Sequence, residues 1–91
     1  MMVRYFALLR DATGKSEEEW KQPAANVGEL LFALAAHYGP EFARWVLKDG
    51  TLWDLVIVLV NGHDVRHAGG GLATPLTAED TVVIFPPVGG G

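Results

Sequence analysis

One stretch of this sequence carries the full set of signals for a long helix, and the rest of the chain has to be arranged around it. Asn26-Val27-Gly28-Glu29 reads as a capping box, with Asn26 accepting from the amide three residues on while Glu29 reaches back. Val27, Leu30, Leu31, Leu34 and Tyr38 then follow helical spacing, and Gly39-Pro40 ends the run. Such a helix has a single apolar stripe, so it covers one face of something flat.

The remaining apolar runs are strand-sized. Val3 to Leu9 alternates Val3, Tyr5, Ala7 and Leu9 with Arg4, Phe6 and Leu8, the pattern of a strand, and Arg10 to Lys15 follows as a turn-rich connection. Ser16 to Lys21 reads as a short edge strand, in which Glu17-Glu18-Glu19 guards the edge and Trp20 is buried. Glu41 to Lys48 suits a second short helix, and Asp49-Gly50 a turn. Leu55 to Val60, six apolar residues in a row, suits a central strand, closed by the hairpin pair Asn61-Gly62. His63 to Thr74 reads as loop or short irregular strand, Pro75 to Asp80 as a turn, and Thr81 to Phe85 as the final strand. The order β-β-α-(α)-β-β predicts a two-layer α+β roll, a mixed sheet with one main helix packed on one face. Ninety-one residues suit one domain, divided as a body at 1–85 and a flexible C-terminal glycine tail at 86–91.

One helix leaves the second face of that sheet without cover. If Val3, Tyr5, Ala7, Val82 and Ile84 lie beneath the helix, then Phe6, Leu8, Val83 and Phe85 point the other way. Burial of each Phe ring would contribute roughly 2 kcal/mol, and an open apolar patch on a small domain marks a partner surface.

Several chemistries are excluded. The chain has no cysteine, which removes disulfides, zinc–thiolate sites and a cysteine nucleophile together. Its net charge is −4, with basic residues scattered singly, so neither a nucleic-acid stripe nor an apolar run of membrane-spanning length is present. The N-terminal residues do not read as a signal peptide, and the expected compartment is the cytoplasm. His63-x3-His67 follows a turn and lacks further ligands, so no metal is expected. Gly69-Gly70-Gly71 has no Lys-Ser/Thr after it, and Ser16, the only serine, has no catalytic context. No nucleophile, base and orienting group come together, so the expectation is a protein that is not an enzyme by itself.

The chemistry left over belongs to the last residues, Phe85-Pro86-Pro87-Val88-Gly89-Gly90-Gly91. Prolines end the strand because they donate no amide to a ladder, and they stiffen the base of an arm that reaches at most about 20 Å. Glycines without Cβ atoms suit threading through a narrow channel. The terminal carboxylate of Gly91 is inert until a partner using ATP makes it an acyl-adenylate, from which a sulfur or amine nucleophile displaces AMP.

These residues resemble a known family. Asp80-x4-Phe85-Pro86-Pro87-Val88-Gly89-Gly90-Gly91, with Val3-Arg4-Tyr5-Phe6-Ala7 and Val60-Asn61-Gly62, resembles the small subunit of molybdopterin synthase and its relatives, the ubiquitin-like sulfur carriers. The resemblance implies a β-grasp fold that binds no cofactor. It implies an adenylating enzyme that uses ATP, a sulfur donor protein, and the large synthase subunit as partners. It further implies that Gly91 carries sulfur as a thiocarboxylate, that Pro86, Pro87, Val88, Gly89 and Gly90 enter the partner with it, and that Phe6 and Phe85 belong to the docking patch. The long segment from His63 to Thr74 is similar to that of archaeal-type protein modifiers, and similar tails occur on carriers for thiamin, cysteine or tRNA thiolation. The acceptor of the sulfur, or a lysine acceptor in place of sulfur chemistry, stays open at this point.

Overall fold

The computed structural model describes residues 1–67 and 69–87. Seven strands, three α-helices and a 3-10 turn follow in the order β1 (Met2–Tyr5), α1 (Leu8–Thr13), β2 (Glu17–Glu19), α2 (Val27–Tyr38), α3 (Pro40–Val46), β3 (Leu47–Lys48), β4 (Thr51–Leu52), β5 (Ile57–Val60), β6 (His63–Asp64), the 3-10 turn (Gly71–Ala73) and β7 (Thr81–Phe85). The main sheet has the order β2-β1-β7-β5-β6. The last strand, β7, is therefore its middle, parallel to β1 and antiparallel to β5.

The principal helix forms where its boundary signals stand. Glu29 donates its amide to Asn26 Oδ1 at 2.8 Å, and Gly39 closes the last turn on the Ala35 carbonyl. Glu29 reaches back one residue further than a capping box requires, accepting from the Ala25 amide at 2.8 Å. Val27, Leu30, Leu31 and Leu34 are fully buried against Val3, Tyr5, Val58, Val82 and Ile84 in one core. Gly28 permits a close approach, because a Cβ there would lie 3.2 Å from the Leu72 carbonyl oxygen of the 3-10 turn. The hairpin expected at Asn61-Gly62 joins β5 to β6, with Val60 opposite His63. Both turn residues take positive φ, 51° and 87°, as a two-residue turn of the right twist demands.

Several boundaries differ from expectation. The strand expected over Val3 to Leu9 stops at Tyr5, because Ala7 turns into φ 51° and the chain enters α1. Leu9 is thus buried by helix packing, Thr13 hydrogen-bonds back to its carbonyl, and Ala7 is exposed instead of lying beneath the main helix. The turn expected at Arg10 to Lys15 is α1 as far as Thr13. The second short helix spans Pro40–Val46, since Leu47–Lys48 pairs with Thr51–Leu52 around Asp49-Gly50. The strand expected from Leu55 begins at Ile57, and it is a central strand, paired with β7 on one side and β6 on the other. Thr81 to Phe85 and the acidic edge Glu17–Glu19 stand as read, and Trp20 is buried.

A polar knot ties the edge strand to the core. The Tyr5 hydroxyl donates to Glu18 Oε2, the Tyr38 hydroxyl donates to the same oxygen at 2.5 Å, and Lys15 Nζ lies 3.4 Å from Oε1. Burial raises the Tyr5 and Tyr38 hydroxyls above the usual phenol range, and the neighbouring Glu18 carboxylate adds to it. Burial alone would raise Glu18 as well. The hydrogen bonds from Tyr38 and Tyr5 and the Lys15 ammonium outweigh it, holding the carboxyl below its ordinary 4.5. A depressed carboxyl contributes stability that is present above the unfolded value and lost as pH falls through the folded one. Glu18→Ala should lower unfolding free energy by about 3 kcal/mol at neutral pH, since it strands two phenols. Glu18→Gln should flatten the acid limb of the stability curve below pH 4.5 in denaturant titrations.

Neighbouring residues of β7 provide a second check. Val82 is fully buried, whereas Val83 is half-exposed on the other face. Val82→Ala should destabilise by about 2 kcal/mol and Val83→Ala by less than about 1 kcal/mol in urea unfolding.

Candidate functional site

The site is the face of the sheet that the helices leave open, at the end where β7 runs into the prolines. The alternation of β7 places Val82 and Ile84 in the core and Val83 and Phe85 on this face. The antiparallel ladder sets Ile57 opposite Phe85 and Leu59 opposite Val83. From the other side, the parallel ladder sets Arg4 beside Val83. Phe6, just past β1, stacks on Phe85 with ring centroids 4.6 Å apart and 21° between planes.

The expected patch residues are therefore brought together in part. Phe6, Val83 and Phe85 share the open face and are half-buried, so mutual stacking already covers much of each Phe ring. Leu8 is 39% exposed, but from α1 and not from the outer face of a strand. Arg10, on the same helix, lies 5.1 Å from the Phe6 ring centroid and donates from Nε to the Tyr5 carbonyl at 3.2 Å. A cation there stiffens the ring that backs Phe85. Pro86 is buried and Pro87 half-buried, so the body of the domain grips the base of the arm. Val88, Gly89, Gly90 and Gly91 lie outside the described residues.

The sequence reading missed two members of this face, Ile57 and Leu59. Ile57, the ladder partner of Phe85, is 44% exposed, and Leu55, two residues before it, is 62% exposed. Six apolar residues in a row carry no alternation that could separate Val56 and Val58, which are fully buried, from the neighbours that are not. The only signal was the ladder itself, which pairs Ile57 with an open-face residue.

The far end of β7 is fixed by polar bonds. Asp80 accepts from Asn61 Nδ2 at 2.8 Å and from the Thr77 amide at 2.7 Å, and these bonds hold its carboxyl below the usual range. Thr81 donates its amide to Asn61 Oδ1 at 2.9 Å. Asp80 of the tail motif thus anchors the start of the strand that carries the arm. Among the described residues no three His, Asp or Glu side chains gather as a metal site, and no helix is long and apolar enough to cross a membrane.

Known proteins are similar to this chain in sequence and in fold. Small archaeal modifier protein 3 of Haloferax volcanii is 39% identical over 90 residues, 98% of this chain and 96% of that protein. A chain of the crystal structure of the BexX/CysO complex from Amycolatopsis orientalis has a TM-score of 0.81 at 31% identity, covering 99% of this chain and 98% of its own. A Pyrococcus furiosus structure, provisionally named molybdopterin converting factor, subunit 1, has a TM-score of 0.73 at 32% identity, covering 96% of this chain and 95% of its own. The ThiS family matches residues 3–91. With its ubiquitin-like β-grasp, its open face and its glycine arm, the chain belongs to the ThiS family of sulfur carriers, alongside the small archaeal modifier and CysO proteins.

Proposed function

We propose that this protein carries sulfur on the carboxylate of Gly91 for molybdopterin synthesis. An adenylating partner lets that carboxylate attack the α-phosphate of ATP, which releases pyrophosphate and leaves an acyl-adenylate. A persulfide on a donor protein attacks the acyl carbon and AMP departs, leaving an acyl disulfide. A thiol then cleaves its S–S bond, so that the glycine ends as a thiocarboxylate and the two thiol sulfurs as a disulfide. The loaded arm then enters the large subunit of molybdopterin synthase, where the sulfur passes to a pterin precursor. In this cycle Gly89 and Gly90 pass the channel, Val88 and Pro87 line its mouth, and Pro86 anchors the arm in the domain. The chain contributes no catalytic group and holds no cofactor of its own; ATP is used by its partner. Its place is the cytoplasm.

The observation that carries this reading is the root of the arm. A strand held by ladders on both sides ends at Phe85, stacked on Phe6 in an open apolar face, and the glycines follow after two prolines. A partner that covers the face receives the arm with little loss of orientational freedom. The Phe-Pro-Pro-Val-Gly-Gly-Gly ending and the likeness to the Pyrococcus furiosus protein support the pterin pathway.

A second reading has its own observation. The relative at 39% identity is named a small archaeal modifier protein, which favours attachment of Gly91 to lysines of other proteins. Both routes begin with the same adenylate and divide at the nucleophile.

Intact-mass measurement after incubation with ATP, the cognate adenylating enzyme and a sulfur donor separates them. The sulfur-carrier reading expects a mass change of one oxygen replaced by sulfur, localised to Gly91 and lost when Gly91 is deleted. An unchanged mass rules it out. Higher-mass conjugates that disappear with the terminal glycines would establish the modifier.

A further inference from the structure

Leu55 is the most exposed large apolar side chain among the described residues, at 62%, yet the turn that displays it is tightly fixed. The turn, from Trp53 to Val56, closes with the Val56 amide donating to the Trp53 carbonyl at 2.9 Å. It leads directly into Ile57, the ladder partner of Phe85. On its other side β6 has already left the sheet, the last backbone rung being the Val65 amide on the Val58 carbonyl at 3.0 Å. Where the next rungs would fall, the Arg66 guanidinium takes their place. It donates to the Val56 carbonyl at 2.5 Å and to the Trp53 carbonyl at 2.6 Å. One side chain thus braces both ends of the turn with charge-assisted hydrogen bonds. Among the described residues Arg66 makes no ion pair within 4 Å, so these carbonyls are where its charge is used.

A fixed turn that offers an apolar side chain to water is unfavourable for the isolated domain and favourable for docking, because the contact is organised in advance. The arm decides what docks. Gly91 lies four residues beyond Pro87, a span of at most about 14 Å. An enzyme whose active site holds the Gly91 carboxylate must approach Pro87 that closely and cover its surroundings.

We propose that Leu55 is a specificity-determining contact for the nucleotide-using enzyme that activates the arm, and that Arg66 is a positioning residue acting through Leu55. This rests on activation of Gly91, which both readings of the function share. Arg66 lies outside the arm and touches no reacting atom; it sets the wall against which the partner seats.

The test is adenylate formation by the cognate adenylating enzyme, followed as ATP–pyrophosphate exchange at varied carrier concentration. Leu55→Ser, a change at an exposed position that leaves the core intact, should raise KM for the carrier about tenfold with kcat unchanged. Arg66→Gln should raise KM by a similar factor. The double variant should be no worse than either single one, since Arg66 works through Leu55. An unchanged KM for Leu55→Ser, or single effects that multiply in the double variant, overturns the inference while leaving the carrier reading in place. Absence of exchange with the wild-type protein overturns both. Should Arg66→Gln fail to fold, the KM of Leu55→Ser alone decides the matter.

Discussion

The structure depends on one strand being held from both sides. β7 is the middle of the sheet, paired with β1 along four residues and with β5 along four more. Its alternation sorts the molecule into a core beneath the helices and an open face above them. Val82 and Ile84 pack with Val3, Tyr5 and Val58 under α2, whereas Val83 and Phe85 meet Leu59 and Ile57 on the outside. Because the same strand continues into the prolines, the sheet that stabilises the fold also holds Pro86 and Pro87 in place. Damage to the ladder would therefore be felt at the arm even where no arm residue changed.

The open face is less wet than an unpaired surface would be. Phe6 and Phe85 cover each other, Arg10 lies over Phe6, and Pro86 is buried at the root. Leu8, Leu55 and Ile57 stay exposed, and Ile57 pairs with Phe85 at that root. A stacked centre with an exposed rim keeps an isolated domain stable and still offers apolar area to a partner. The acidic edge at Glu17–Glu19 serves a different purpose, closing the sheet against edge pairing while Glu18 turns inward to the two tyrosines.

Much of this was legible in the amino acids, for reasons that differ from element to element. The helix from Val27 was readable because a side-chain cap, an apolar stripe and a glycine stop all agree. The Asn61-Gly62 hairpin was readable because few other pairs tolerate two positive φ angles. The end of the final strand at Phe85 was readable because the prolines after it donate no amide to a ladder. The early helix was not, since Val3 to Leu9 alternates well enough for a strand. Only the turn at Ala7 and the packing of Leu9 and Thr13 at helical spacing reveal α1. Strand order was also hidden: the apolar run from Leu55 to Val60 marks a central strand, but nothing local says that the final strand is its neighbour. That order places Ile57 and Leu59 beside Phe85 and Val83, and it explains why the patch read from sequence held Phe6, Leu8, Val83 and Phe85 but lacked them.

The account places activation of the arm at the open face and not at the helical side, where Phe32 is also exposed at 47%. The most direct measurement is an NMR titration of isotope-labelled protein with the adenylating enzyme, read at backbone amides and methyl groups. The account predicts that Phe6, Leu55, Ile57, Val83 and Phe85 shift or broaden first while Phe32 and its neighbours on α2 stay in place. Perturbation confined to the α2 side, with the open face unmoved, would contradict it.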